Sequence, residues 1–473
     1  MSEEKQILTE YKKKLDKVGC GFCIAKWTQV TIHLQMGETH SCHHPKTHKI
    51  SVQEIKRNPS ALHNTKYKKL QRKKMLEGER PSECEYCWNV EDNSNEFSDR
   101  IYKSSEPWSQ PFLEEVKELG WRGDFNPKYV EVAFSNACNF KCSYCGPSFS
   151  SKWVQEIKKH GAYPTTDHFN DINYLEQTGK MPIHHKEENP YVEAFWRWWP
   201  DLYRDLHTFR ITGGEPLLAK DTWKILDYII ENPDPNRELK LGINSNLGVT
   251  DDLIDLLIEK LKVIEKNNLV KEVIIYTSVD AAGDHAEYIR NGLNYEYFCT
   301  NVEKILKATR RVSMVFMSTF NILSIPRYKE MLAFAYDMKK KYNSDHRYWN
   351  PVIMVDSSYL RYPHHQACNI LPKEYANTVE ELADFAESLR MVNKVPDELW
   401  TPKCMGYTDI EISKIRRIAD WMRGDHDENQ IKNSRKNFYR FFKAHDERRG
   451  TDFIKTFPQY ERFFNFCKKL NDE

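Results

Sequence analysis

The middle of this chain alternates, and that alternation limits its fold more than any other feature. Between residues 129 and 365, short apolar, β-branched runs are separated by amphipathic stretches. The runs are Tyr129–Phe134, Thr208–Thr212, Leu239–Asn244, Val273–Val279, Val312–Phe320 and Pro351–Val355. Strand–helix alternation predicts an α/β fold with a parallel sheet, because each crossover needs room for a helix. The clearest helix is Asp251–Ile264. Thr250 stands where it can cap it, and Leu253, Leu256, Leu257, Leu261 and Ile264 share one face. Reactive residues in such sheets gather past the carboxyl ends of the strands. The residues that follow each run are therefore the candidates for a site.

The flanks have a different texture. Residues 1–128 are cysteine-rich and basic in places, and residues 366–473 read as helical, charged and aromatic. Three domains follow as an expectation: 1–128, 129–365 and 366–473. One crossover, from Ser150 to about Leu206, is unusually long, and residues 161–190 within it read as either a functional loop or a surface insertion. Lys and Arg total 70 against 69 Asp and Glu, a net charge of +1. That balance gives no global attraction to nucleic acid or anionic lipid. No apolar run approaches the roughly 20 residues of a membrane span. The segment MSEEKQILTEYKKKLDK lacks the apolar centre of a signal peptide, so a soluble cytoplasmic chain with no membrane partner is expected. Of the 12 cysteines, eight precede residue 146, while Cys299, Cys368, Cys404 and Cys467 are scattered. Clustered thiols in a reducing compartment point to metal or iron–sulfur ligation.

Directly after the first run, Cys138, Cys142 and Cys145 are spaced C-x3-C-x2-C, with Tyr144 before the last. Three thiolates on one loop can bind three irons of a 4Fe-4S cube and leave the fourth open to a chelating molecule. A zinc loop and unrelated buried thiols are the alternatives. The second run ends in Thr212-Gly213-Gly214-Glu215-Pro216. Its glycines allow close backbone approach, and its carboxylate can accept a hydrogen bond from an ammonium group. After the fourth run stand Ser278 and Asp280, then Arg290. Asn244 begins a small polar stretch after the third, and Thr319 and Asn321 close the fifth.

In these motifs and their order the chain resembles the radical S-adenosylmethionine (SAM) superfamily. The resemblance implies a partial (β/α)6 barrel over residues 129–365. It also implies a 4Fe-4S cluster on the catalytic cysteines Cys138, Cys142 and Cys145. Tyr144, Gly213, Gly214, Glu215, Pro216, Asn244, Ser278, Asp280 and Arg290 would lie around SAM. Asp280 and Arg290 equally suit contact with substrate or a structural ion pair. The chemistry implied is reductive cleavage of SAM to a 5′-deoxyadenosyl radical that takes hydrogen from a substrate. Electrons would come from a reductase such as flavodoxin or ferredoxin.

A second cysteine set precedes the barrel: Cys20, Cys23, Cys42, Cys84 and Cys87. The segment Trp27–Leu34 reads as a strand, Gly37 as a hairpin turn and Leu62–Glu77 as a basic helix. The order resembles twitch/SPASM auxiliary-cluster domains. That resemblance implies a second 4Fe-4S cluster on Cys23, Cys42, Cys84 and Cys87. Zinc on Cys20, Cys23, Cys84 and Cys87 is the competing reading. His43 and His44 read as surface residues.

Relatives of this kind often modify peptides or proteins, so a peptide or protein substrate is favoured; oxidation of a sugar or other small molecule is the alternative. A zinc-stabilised nucleic-acid-binding protein using Lys66–Lys74 is the reading from another class; the neutral net charge and Gly213–Pro216 argue against it. A scaffold that keeps its cluster without turnover is the third. In the C-terminal region, Phe438, Phe441, Phe442, Phe453, Phe457, Tyr460, Phe463 and Phe464 read as a packed helical face. Trp196, Trp198 and Trp199 read as packing, and Cys299 and Cys467 as ordinary buried thiols.

Overall fold

The computed structural model describes residues 3–168, 170–342, 352–390 and 406–472. Cys404 and Pro351 lie outside the described residues. The strands are β1 (Gln29–His33), β2 (Glu38–His40), β3 (His48–Lys49), β4 (Tyr129–Ala133), β5 (Lys141–Cys142), β6 (Thr208–Thr212), β7 (Lys240–Ser245), β8 (Glu272–Ser278), β9 (Arg290–Asn291), β10 (Val312–Phe320) and β11 (Ile353–Tyr359).

The main sheet runs β11-β10-β8-β7-β6-β4-β1-β2-β3. Its six strands from the middle of the chain stand in sequence order and pair in parallel. Each is followed by helix, giving the α/β order expected of a partial (β/α)6 barrel. Burial alternates along β8: Val273 and Ile275 are buried, while Ile274, Tyr276 and Ser278 are half-buried on the other face. The apolar residues pack under helices such as Asp251–Lys266. The opposite face keeps the polar side chains, among them Arg210, Asn244 and Ser278.

The structure revises several local expectations. Thr250 occupies the N-cap position of helix Asp251–Lys266 but makes no side-chain cap hydrogen bond. Leu256 is among the exposed apolar residues, and Ile254 and Ile258 take the buried face with Leu257, Leu261 and Ile264. The basic helix begins later than expected, at Lys66, with Thr65 capping it through the Lys68 N–H. The last strand extends to Tyr359 rather than Val355.

The N-terminal strand pairs with the barrel. β1 lies parallel to β4, with Gln29 opposite Tyr129 and His33 opposite Ala133. Val30, Ile32 and Leu34 thereby join the main core, whereas Leu8, Leu15, Phe22, Trp27, Trp88 and Phe125 build a second one. Helix Pro190–Asp205 buries Trp198 and Trp199 in the main core. The C-terminal helices Glu428–Arg449 and Glu461–Asp472 pack through the phenylalanines read from the sequence. Cys467 is buried there, and Cys299 is half-buried. No helix among the described residues is long and apolar enough to cross a membrane.

Candidate active site

The loop after β4 carries Cys138, Cys142 and Cys145 to the carboxyl end of the sheet. It is held from several sides. Asn139 donates to the Gly248 carbonyl at 2.7 Å and accepts from the Asn246 amide at 2.9 Å, which ties the loop to the turn after β7. Trp153 Nε1 donates to the Cys142 carbonyl at 2.9 Å, and Ser150 Oγ donates to the Phe140 carbonyl at 2.7 Å. β5 pairs antiparallel with β9, which sets Cys142 opposite Arg290. The three thiols sense one another. Burial raises all three, and Cys142 pushes Cys138 and Cys145 further, Cys145 to about 12.

Gly213 and Gly214 have a reason the sequence did not disclose. A Cβ on Gly214 would press on the carbonyls of Asn136 and Ala137, and Gly213, at φ +125°, lies against the Ser135 carbonyl. The glycines let the turn approach the cysteine loop itself. Gly214 N–H donates to the Ser135 carbonyl at 3.1 Å and Glu215 N–H to the Ala137 carbonyl at 2.7 Å. Pro216 opens a short 3-10 turn that Glu215 caps. The Glu215 carboxylate is buried and accepts from Leu217 N–H at 3.0 Å, Ser245 Oγ at 2.8 Å and Asn246 N–H at 2.6 Å. Burial lifts its pKa to about 7 against these bonds.

Asp280 and Arg290 pair with each other. Arg290 Nε is 2.8 Å from Asp280 Oδ2, and Nη2 donates to Oδ1 at 3.0 Å. Tyr144 donates its hydroxyl to Asp280 Oδ2 at 2.8 Å, and Thr319 N–H donates to Oδ1 at 2.8 Å. Arg290 Nη1 also stands 3.7 Å from Cys142 Sγ. This is the ion-pair alternative raised from the sequence, and it joins the fourth and fifth strands to the cysteine loop. Ser278 is half-buried at the end of β8. Asn244 is lower in the barrel, accepting from Arg210 Nε at 2.8 Å, while Asn321 is spent on a local turn, donating to the Thr319 carbonyl and accepting from Leu323 N–H.

Residues 132–335 match the family model described as Radical SAM superfamily. By that match residues 132–335 are a radical SAM domain. No curated protein matches the chain. It is similar to a solved structure described as "Native anSMEcpe with bound AdoMet and Cp18Cys peptide", at 12% identity and a TM-score of 0.31, over 72% of this chain and 98% of that one. A second, "Native anSMEcpe with bound AdoMet", matches at 12% identity and a TM-score of 0.31, over 71% and 97%. The radical SAM match implies a 4Fe-4S cluster and SAM. Three adjacent sulfur donors fit such a cluster, and the Arg290 guanidinium near Cys142 lowers the cost of thiolate there.

Two parts of this radical SAM site were invisible in the sequence because they come from far along the chain. Gln366 donates to the Ser143 carbonyl at 3.0 Å and accepts from Ser143 Oγ at 2.7 Å. Arg449, at the end of the long C-terminal helix, donates to the Lys141 carbonyl at 2.7 Å and pairs with buried Glu156 at 3.0 Å.

The N-terminal cysteines separate into two groups. Cys23, Cys42, Cys84 and Cys87 line one cavity with Lys26, Trp88, Arg100 and Lys103. Burial and neighbouring thiols push Cys42 and Cys87 up to about 12. Cys20 is exposed, outside that cavity, and donates to the Gly78 carbonyl at 3.0 Å. Among the described residues no three His, Cys, Asp or Glu side chains are grouped to hold a single metal ion. His44 sits 2.8 Å from Asp99 and stacks on Tyr86, and half-exposed His43 lies 4.0 Å from Glu131. The basic helix turns part of its charge inward: Lys68 and Arg72 are buried, and Lys69 pairs with Asp124 at 2.5 Å.

Proposed function

We propose that Cys138, Cys142 and Cys145 hold three irons of a 4Fe-4S cluster whose fourth iron takes SAM, and that the substrate is a peptide or protein. The observation that carries this is the convergence of the three thiols with Gly213–Pro216 and the Tyr144–Asp280–Arg290 network at one end of the sheet. When bound, the cluster and SAM supply a 5′-deoxyadenosyl radical that takes hydrogen from carbon. This chain's residues shape the site. Arg290 offsets thiolate charge, Tyr144 and Thr319 fix Asp280, and the glycine turn presses the cysteine loop into place. Asn244 and Ser278 face the barrel interior, where substrate and the adenosyl part of SAM would meet. Residues 129–365 act as the barrel, 1–128 as the auxiliary domain and 366–473 as a helical extension.

In the same reading Cys23, Cys42, Cys84 and Cys87 hold a second 4Fe-4S cluster. Their shared cavity supports that set over zinc, which would need exposed Cys20. A flavodoxin or ferredoxin would reduce the enzyme.

The alternative substrate reading is oxidation of a sugar or other small molecule by the same chemistry. A separate cavity, at the opposite end of the strands from the cysteine loop, is lined by Lys103, Trp108, Tyr129, Arg210, Lys240 and Tyr276. The deciding experiment is anaerobic incubation of reconstituted enzyme with SAM and dithionite. It should release 5′-deoxyadenosine, and the Cys138→Ala, Cys142→Ala, Cys145→Ala triple variant should not. Equal release from that variant would remove the site. Mass analysis of added peptide and sugar substrates separates the two substrate readings.

A further inference from the structure

Four cations are buried in the N-terminal region, Lys26, Lys68, Arg72 and Arg100, and of these Lys26 and Arg100 line the cysteine cavity. Burying a charge is costly unless an opposite charge offsets it. Two of the four are offset. Lys26 pairs with Glu83, and Arg100 pairs with Glu91 and Asp16, each at 2.9 Å. The other two are not. Lys68 Nζ donates to His63 Nδ1 at 3.0 Å. Arg72 donates to the Lys26 carbonyl at 3.2 Å and to Asn64 Oδ1 at 2.9 Å, and meets His63 Nε2 at 2.9 Å. Among the described residues neither has a carboxylate within ion-pairing distance. Burial, Arg72 and Lys26 together press the Lys68 ammonium well below the usual amine range, while Glu83 and Cys42 oppose them. Neither Lys68 nor Arg72 lines the cysteine cavity, whereas Lys26 and Arg100 do, with Lys103, beside all four thiols.

We infer that Lys26 and Arg100 form a cationic wall that offsets the negative charge of a four-thiolate cluster at Cys23, Cys42, Cys84 and Cys87 and raises its reduction potential. The inference rests on the second-cluster reading above. A 4Fe-4S cube with four thiolates is net negative, and more so after it takes one electron. A cation in a low-dielectric wall favours the more negative form. The couple is a reversible one-electron reduction of the cluster with no bond made or broken. Lys103, half-buried, lines both this cavity and the one beneath the barrel, so it belongs to the same wall from the open side.

The test uses the full-length Cys138→Ala, Cys142→Ala, Cys145→Ala protein, so that only the N-terminal site holds iron, poised with dithionite and redox mediators and read by EPR. Arg100→Met and Lys26→Met should each retain iron and sulfide yet lower the reduced-to-oxidised ratio at a fixed potential at least tenfold, a negative shift of about 59 mV for one electron. Lys26→Arg should restore the parent value. Should either Met variant fail to fold, Lys103→Met carries the test with a smaller shift of the same sign. Iron-loaded variants with the parent potential would overturn the inference and leave the second cluster standing. A parent protein without iron or sulfide would overturn both.

Discussion

Adding one methyl group to Gly214 tests whether the glycine turn exists to approach the cysteine loop. A Cβ there would stand 2.8 Å from the carbonyl carbons of Ala137 and Asn136, and nearer still to the Ala137 oxygen. Carbon atoms pack comfortably at about 3.5–4.0 Å, so the loop or the turn must retreat by roughly 1 Å. Neither neighbour is a flexible side chain. Retreat would strain the hydrogen bonds from Gly214 N–H to Ser135 and from Glu215 N–H to Ala137. Overpacking of this kind costs about 1–3 kcal/mol. The displaced residue, Ala137, immediately precedes Cys138, and a 1 Å misplacement near the reacting centre can cost about a hundredfold in rate. Gly214→Ala should therefore lower the urea midpoint of the cluster-free protein and cut 5′-deoxyadenosine formation by one to two orders of magnitude, roughly. Wild-type stability together with wild-type turnover would refute the loop-approach account and return the glycines to a direct role beside SAM.

Other perturbations have equally definite outcomes. Glu215 holds its carboxyl at about 7 by burial, so the folded, SAM-free protein keeps a proton that the unfolded chain sheds near 4.5. That stabilisation is complete at acid pH and is lost as pH rises toward 7; Glu215→Gln should flatten this stretch of the stability–pH curve, and an unchanged slope would contradict the assignment. Lys339→Met leaves Glu411 buried without the ammonium 2.8 Å away, and should cost about 3–5 kcal/mol by denaturant unfolding. Arg449→Met removes the bond to the Lys141 carbonyl and the pair with Glu156; the cysteine loop should then lose iron faster to a chelator, with the helical content by circular dichroism unchanged.

Sequence patterns reached the barrel because its strands are short, β-branched and spaced by helices, and because Cys138, Cys142 and Cys145 are close in sequence. They fell short where partners are remote. The apolar run Trp27–Leu34 announces a strand, but nothing in it names β4, almost a hundred residues on, as its parallel neighbour. Gln366 and Arg449 carry no motif; only folding brings them to the cysteine loop. Asp280 and Arg290 were legible as a polar pair near the site, yet hydrogen bonds from Tyr144 and Thr319, not spacing, decide that they face each other. Thr250 shows the limit of local signals, since the right residue type in the right place makes no cap. Lys68 and Arg72 show the same limit for charge, because a basic run says nothing of which side chains turn inward.

The parallel pairing of β1 with β4 also has a consequence for biosynthesis. A nascent chain delivers residues 29–33 long before residues 129–133, so the N-terminal hairpin waits with one backbone edge unsatisfied. Until β4 arrives, that edge is a template for any other extended segment. The buried apolar residues of β1 belong to the core that the barrel strands and helices build later in the chain. The cysteine-rich domain cannot then be completed as an independent module during translation. Its maturation is coupled to that of the barrel, and a chain truncated before residue 129 should accumulate as an aggregation-prone fragment rather than as a small stable domain.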